Sequence, residues 1–300
     1  MDRRCFVSLA GLAATGSETS LSAQGFNHPA ISRTSGVTVP RVGMGSWLTF
    51  DIPAGELWER TQRRQVLERF FAAGGGMIDS SPMYGGAERL IGDLLVEVDH
   101  AGKLYCASKI WTPFDRFGAG QLDASLKLWR QTRLDLVLVH NLLNWQSHLK
   151  VLRRAKEEGK VGAIGISTSH GRGHEEAVRI IKAESLDVLQ ITYNLADASA
   201  EYVMDAAADR GMAVVINRPY DGGALFASVR RVALPAWAVE FDCRSWAEYF
   251  LKWVLGRSAV TCVIPATRNP SHMEENMSAR VGRLPDESLR RRMQAFCRAL

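Results

Sequence analysis

Eight short apolar runs, each followed by a stretch with helical patterning, recur along this chain at a spacing of about 30 residues, the period of repeated β/α units. The runs are Arg41 to Trp47, Met77 to Ser80, Leu104 to Ile110, Leu134 to His140, Gly162 to Ser167, Val188 to Tyr193, Ala213 to Asn217 and Val260 to Pro265. Most are apolar throughout and do not alternate, as befits strands covered on both faces. Strict alternation of eight such strands with eight helices predicts an α/β fold, a (β/α)8 TIM barrel in a single domain. A further helix follows Asp286, with Leu289, Met293 and Phe296 on its inner side.

The helices between the runs carry stripes at 3.6-residue spacing. Val66, Leu67, Phe70 and Phe71 form the first, Leu90, Ile91, Leu94, Leu95 and Val98 the second, and Leu122, Leu126 and Trp129 the third. Leu149, Leu152 and Ala155 precede Gly159 as a C-terminal stop, and Ala177, Val178 and Ile181 follow His174. Ser199 is placed to cap a helix that carries Tyr202, Val203 and Ala206 and stops at Gly211. Trp246, Phe250, Trp253 and Val254 run to Gly256, and Asn269-Pro270 supplies a cap and first-turn proline ahead of Met273 and Met277.

Composition narrows the function classes. The chain is 46% hydrophobic over 300 residues, with no apolar run approaching membrane-spanning length, so stable membrane insertion is not expected. A net charge of +5 is spread along the chain, and its densest cluster, Arg290 to Arg292, reads as a solvated helix face, not a nucleic-acid site. The five cysteines have no CxxC or Cys/His spacing, which predicts neither a disulfide framework nor a metal site.

The first 26 residues differ from the rest. Arg3 and Arg4, a mildly apolar Leu9 to Ala14 and small residues near Ala23 read as a twin-arginine export leader ahead of a barrel over 27–300. The other reading is a loosely packed extension. The protein is expected in the periplasm or outside the cell if the leader operates, and in the cytoplasm otherwise.

Barrel chemistry gathers where strands end and loops begin. Asp79 ends the second run, Lys109 the third and His140 the fourth, and Tyr84 hangs in the Pro/Gly loop after the second. A phenol is a poor acid or base at neutral pH unless a neighbouring cation stabilises its phenolate. Lys109 can be that cation, Asp79 can hold the ammonium, and His140 can polarise the same oxygen. Such a quartet suits a carbonyl protonated at oxygen while a nucleophile reaches carbon. No Cys or Ser is placed as nucleophile, so a reduced nicotinamide fits, yet no GxGxxG follows a strand and Rossmann-type binding is excluded. A helix start near Asn269 and Pro270 can receive phosphate through free N–H groups.

From about Val37 to Ala279 the chain resembles the aldo-keto reductase family. The resemblance is carried by Gly43-Met44-Gly45-Ser46-Trp47, Ile78-Asp79-Ser80-Ser81-Pro82-Met83-Tyr84-Gly85, Ala107-Ser108-Lys109, Leu134 to His140, Glu158 to Ser167, Gln190 to Asn194, and Val263-Ile264-Pro265-Ala266 through Glu275-Asn276. It implies reduction of aldehydes and ketones by NADPH, with NADH not excluded, and a tetrad of Asp79, Tyr84, Lys109 and His140 with Tyr84 as general acid. It also implies that Lys109 lowers the Tyr84 pKa. Ser167, Thr168 and Gln190 would hold the nicotinamide carboxamide, with Ser46, Trp47, Asp79, Asn217 and Arg218 around the ring. Ile264, Ala266, Thr267, Arg268, His272, Glu275 and Asn276 would serve the adenosine end, with Arg268 a better partner than His272 for a 2′-phosphate.

Three departures from the family pattern stand out: Thr168 where Asn is usual, Asn217-Arg218-Pro219-Tyr220 where an aromatic often stacks on the nicotinamide, and Ala266 where Lys or Gly is common. The substrate would be a small carbonyl compound met by Trp47, Trp111, Asn141 and Tyr220, with Leu142, Trp145 and Phe226 as further rim candidates. Pro219 to Arg244, the longest loop, is expected to cover the site. The alternative function is a dinucleotide-binding redox sensor or partner module on the same barrel.

Overall fold

The computed structural model describes residues 30–31, 38–53, 55–100 and 102–300, and the leader and its boundary at 26/27 lie outside them. Two short antiparallel strands, β1 (Ala30–Ile31) and β2 (Thr38–Val39), precede the barrel. The eight barrel strands are β3 (Met44–Gly45), β4 (Met77–Asp79), β5 (Tyr105–Ile110), β6 (Leu134–Val139), β7 (Val161–Ser167), β8 (Val188–Thr192), β9 (Ala213–Asn217) and β10 (Cys262–Val263). All neighbours pair in parallel and in sequence order. Bridges from Val42 to Val263 and from Gly45 to Ala266 join the last strand to the first. The approach there is close: a Cβ on Gly45 would lie 2.9 Å from the Ile264 carbonyl oxygen.

Around the barrel run α1 (Leu57–Ala72), α2 (Ala87–Leu95), α3 (Gly118–Leu128), α4 (Trp145–Glu157), α5 (His174–Ala183), α6 (Glu201–Asp209), the short α7 (Ala224–Ser228), α8 (Trp246–Leu255) and α9 (Pro270–Ser278), with α10 (Glu287–Arg298) added outside the repeat. Asn269 caps α9 by accepting from the Ser271 N–H at 2.9 Å, and Asp286 caps α10 by accepting from the Leu289 N–H at 2.8 Å. Ser199 does not cap α6. The cap is Ala200, one residue later, and the Ser199 hydroxyl donates to Asp197 Oδ1 at 2.5 Å while its N–H donates to the same oxygen at 3.0 Å.

Strand periodicity sorts the core into two parts. Outward residues such as Ile78, Cys106, Val137, Ile166 and Leu189 pack under the helices. Inward residues, among them Met77, Ala107, Leu136, Leu138, Ala163, Val188 and Val215, fill the barrel. Two residues beyond those inward positions come Asp79, Lys109, His140, Gln190 and Asn217, so the same two-residue period that builds the apolar plug carries polar groups to its upper layer.

One sequence reading of charge is corrected on α10. Arg290 is buried, its Nε donating to the Trp253 carbonyl at 2.9 Å and its guanidinium also bonding the Tyr193 hydroxyl, so it pins the helix to the barrel. Only Arg291 and Arg292 face solvent, beside Glu287 and Glu240. Among the described residues Cys106, Cys243, Cys262 and Cys297 are free thiols, and no helix is long and apolar enough to cross a membrane.

Candidate active site

At the C-terminal mouth of the barrel lies a cavity of about 360 Å³. Asp79, Tyr84 and His140 line it, together with Ser46, Trp47, Asn141, Asn217, Arg218, Tyr220, Ile264 and Ala266. Lys109 sits just beneath, fully buried, and its ammonium donates to Asp79 Oδ2 at 2.6 Å and to the Ser80 carbonyl at 2.8 Å. The other Asp79 oxygen accepts from the Gln190 amide at 2.8 Å. Ser46 reinforces the same corner, its hydroxyl 2.9 Å from both the Asp79 carbonyl and the Ser80 hydroxyl.

Tyr84 is half-buried, with Lys109 Nζ 5.1 Å from its ring centroid and the His140 ring edge-on at 5.7 Å. Burial pushes the phenol above its ordinary pKa, and the charge and hydrogen bonding of Lys109 pull against that rise without cancelling it. Lys109 acts in the expected direction, but removing the phenolate from water outweighs one cation already shared with Asp79, so the phenol stands above its ordinary value. Lys109 itself, although burial disfavours its charge, is held above the ordinary lysine value by Asp79 and Tyr84. Burial, and then the Lys109 charge, drive His140 down to about 2. The imidazole is neutral at any working pH.

Residues 41–295 match the family model described as the aldo/keto reductase family. The chain belongs to the aldo/keto reductase family. It is an NAD(P)H-dependent oxidoreductase, as members of that family are. Methylglyoxal reductase YeaE of Escherichia coli (strain K12) is 23% identical over 248 residues, covering 80% of this chain and 85% of that protein. Among solved structures, the holo form of aldo-keto reductase AKR11C1 from Bacillus halodurans superposes with a TM-score of 0.74 at 17% identity, over 89% of this chain and 95% of that one. An aldo/keto reductase from Klebsiella pneumoniae, solved in complex with NADP and acetate, gives 0.73 at 19% identity over 90% and 95%.

Other sequence-derived site residues of this aldo/keto reductase fall into three groups. Ser167, Thr168 and Gln190 are buried beside the cavity. Ser167 Oγ accepts from the Asn141 N–H at 3.3 Å, the Thr168 hydroxyl has no partner among the described residues, and the Gln190 amide nitrogen gives one of its two protons to Asp79. Thr267 and Arg268 precede α9, His272 lies in its first turn and Glu275 and Asn276 in its second half, with Arg268, His272 and Glu275 exposed. Thr267 Oγ1 accepts from the Asn269 N–H at 3.1 Å, and Asn276 accepts from the Tyr220 hydroxyl at 2.6 Å. Trp111 lies apart. It is 40% exposed and off the cavity lining, because Gln121 clips its backbone at both N–H and carbonyl and turns the loop outward.

The loop from Pro219 to Arg244 is folded, with Tyr220, Gly222, Gly223 and Phe226 at the cavity and the Tyr220, Phe226 and Phe250 rings packed together. Asn217 is fixed at both ends of its amide, accepting from Thr192 Oγ1 at 2.6 Å and donating to the Thr168 carbonyl at 2.9 Å. The cavity also holds Met83, Ser169 and His170, which pattern alone did not single out. For His170 the available signal was its place three residues beyond Ser167 in a rim loop.

Proposed function

We propose that this reductase converts aldehyde or ketone carbonyls to alcohols with NADPH, Tyr84 supplying the proton to the carbonyl oxygen. The observation carrying the proposal is that a buried, ion-paired ammonium, a phenol and a neutral imidazole converge on one cavity. When bound, NADPH supplies the hydride.

The residues fit that cofactor. Thr168 Oγ1, next to Ser167 at the end of β7, and Asn276 Nδ2, on α9, are buried polar atoms without partners among the described residues that a dinucleotide could satisfy. The Asn269-capped start of α9, with Arg268 beside it, suits phosphate. Ser167, Thr168 and the Gln190 oxygen would hold the carboxamide, and Arg268 a 2′-phosphate.

Tyr84 stays protonated at neutral pH because burial keeps its pKa high, so it is loaded as an acid. As the proton leaves, Lys109 stabilises the phenolate that forms. Asp79 keeps the ammonium oriented. Ser81 Oγ lies 3.0 Å from His140 Nδ1 and accepts from the Met83 N–H at 3.2 Å, and in the catalytic tautomer its own proton goes to Nδ1. The neutral imidazole then carries its own proton on Nε2, free to donate to the substrate oxygen. Trp47, Tyr220 and Phe226 give the pocket apolar walls.

The test is oxidation of NADPH, followed by fluorescence, across a panel of aldehydes and ketones that includes methylglyoxal, the substrate in the name of the Escherichia coli relative. Turnover of at least one class supports the reading. Tight NADPH binding with no turnover anywhere in the panel supports the sensor reading instead. Export by residues 1–26 belongs to the same proposal, and replacing Arg3 and Arg4 with Lys should retain the protein in the cytoplasm.

A further inference from the structure

Arg218 is a guanidinium facing the catalytic cavity without a full set of partners. Its side chain is only 16% exposed, and its Nε is buried with no hydrogen-bond partner among the described residues. The ion pair it makes is to a single oxygen of Asp221 at 3.3 Å, and Asp221 itself is 40% exposed at the rim. A planar five-donor group is thus satisfied at one corner only, whereas buried polar groups are normally paired.

Its surroundings fix it in place without neutralising it. The guanidinium carbon stands 5.5 Å over the Trp47 ring, and the Trp47 and His170 rings meet edge-on at 6.1 Å. The Arg218 carbonyl is tied by the Asn194 amide at 3.0 Å and by the Asp221 N–H at 3.0 Å, which holds the backbone in a left-handed turn with φ of 50°. Burial, followed by the charges of Arg218 and Arg172, keeps His170 below the usual histidine value, and Asp221 offsets this least. The Arg218 charge thus reaches the neighbouring ring, although Asp221 pairs with one corner of the guanidinium. The Asp79 carboxylate in the same cavity is committed to Lys109 and Gln190.

We propose that Arg218 is an oxyanion-binding group of the reductase pocket, taking a phosphate of the dinucleotide or a carboxylate on the carbonyl substrate. The inference rests on the reductase reading above. Both sources present the same chemistry, paired oxygens matching the fork of a guanidinium, and both bring the partner that Nε lacks. Trp47 then acts as a platform that keeps the cation in the mouth of the cavity. Arg268, exposed at the start of α9, is a separate cation.

The experiment compares the wild-type chain with Arg218→Met and Arg218→Lys. NADPH and NADH affinities are read from fluorescence titration, and kcat/KM is measured for para-carboxybenzaldehyde and its methyl ester. If the source is a phosphate common to both dinucleotides, Arg218→Met weakens NADPH and NADH alike by about tenfold or more, the effect of losing one charge-assisted hydrogen-bond pair. If the source is the substrate, the acid-to-ester ratio of kcat/KM falls by about the same factor while dinucleotide affinity holds. In either case Arg218→Lys recovers part of the loss. Unchanged affinities together with an unchanged ratio, in a variant whose melting temperature shows it folded, overturn the proposal. Absence of turnover with every carbonyl in the wild-type chain would instead count against the reductase reading, leaving the titration to judge Arg218.

Discussion

The Lys109 ammonium lies 2.6 Å from Asp79 Oδ2, with both side chains closed off from solvent at the top of the barrel plug. Such a pair is paid for in desolvation and recovered through hydrogen bonds, here to Ser80 and from Gln190. The pair keeps a positive charge 5.1 Å from the Tyr84 ring, where the proposed mechanism needs one.

Removing one member should expose that arrangement. Lys109→Met leaves Asp79 buried and unpaired, and denaturant unfolding should show a loss of about 3 to 5 kcal/mol. Adding Asp79→Asn should restore much of the stability and none of the turnover. Equal recovery of both would show that the pair serves the fold alone.

Glu88 holds a second buried carboxylate network, unconnected with catalysis. Its oxygens accept from the Ser108 hydroxyl at 2.5 Å, the Trp129 indole at 2.9 Å and the Ser125 hydroxyl at 3.0 Å, which ties α2 to β5 and to the end of α3. Glu88→Ala strands three donors in the core and should cost about 3 kcal/mol or more by denaturant titration, since each unsatisfied group carries its desolvation penalty. The KM for carbonyl substrates should stay within about twofold in the fraction that remains folded, because Glu88 is off the cavity lining.

His140 gives the pH dependence a definite sign. Its folded pKa of about 2 lies far below the unfolded value of 6.5, so as pH falls through 6.5 the unfolded chain binds a proton that the folded chain refuses. Stability from this group is complete above 6.5 and is lost progressively toward pH 2. Unfolding curves at pH 7.5 and pH 5 should differ more for the wild type than for His140→Asn. An equal or larger pH effect in the variant would assign the dependence to other groups.

Much of this was legible in the chain because a parallel barrel writes itself twice: as apolar runs, and as polar residues where the runs stop. Asp79, Lys109 and His140 were readable since each ends a strand, and the inward period of two then brings them to one layer. Glu88 gave no signal of its own in the sequence, since its donors Ser108, Ser125 and Trp129 come from distant segments. Arg290 looked solvated for the same reason: Tyr193 and Trp253, its partners, are not neighbours in sequence. Nor could Trp111 be placed, because one glutamine, Gln121, decides the direction of its loop. Ser199 was misread because Asp197 accepts from both its N–H and its hydroxyl in a turn that delays the helix by one residue, which a capping rule that considers one residue at a time does not see.

The central claim is that Tyr84 gives the proton. Tyr84→Phe removes one hydroxyl from a ring already packed against the core, so the fold and the dinucleotide groove should persist. Stopped-flow measurement of NADPH oxidation under single-turnover conditions, with the best aldehyde of the panel, tests it most directly. The account predicts a rate at least about a thousandfold below wild type, in line with loss of a positioned acid, with NADPH affinity within about twofold. A single-turnover rate close to wild type would contradict it.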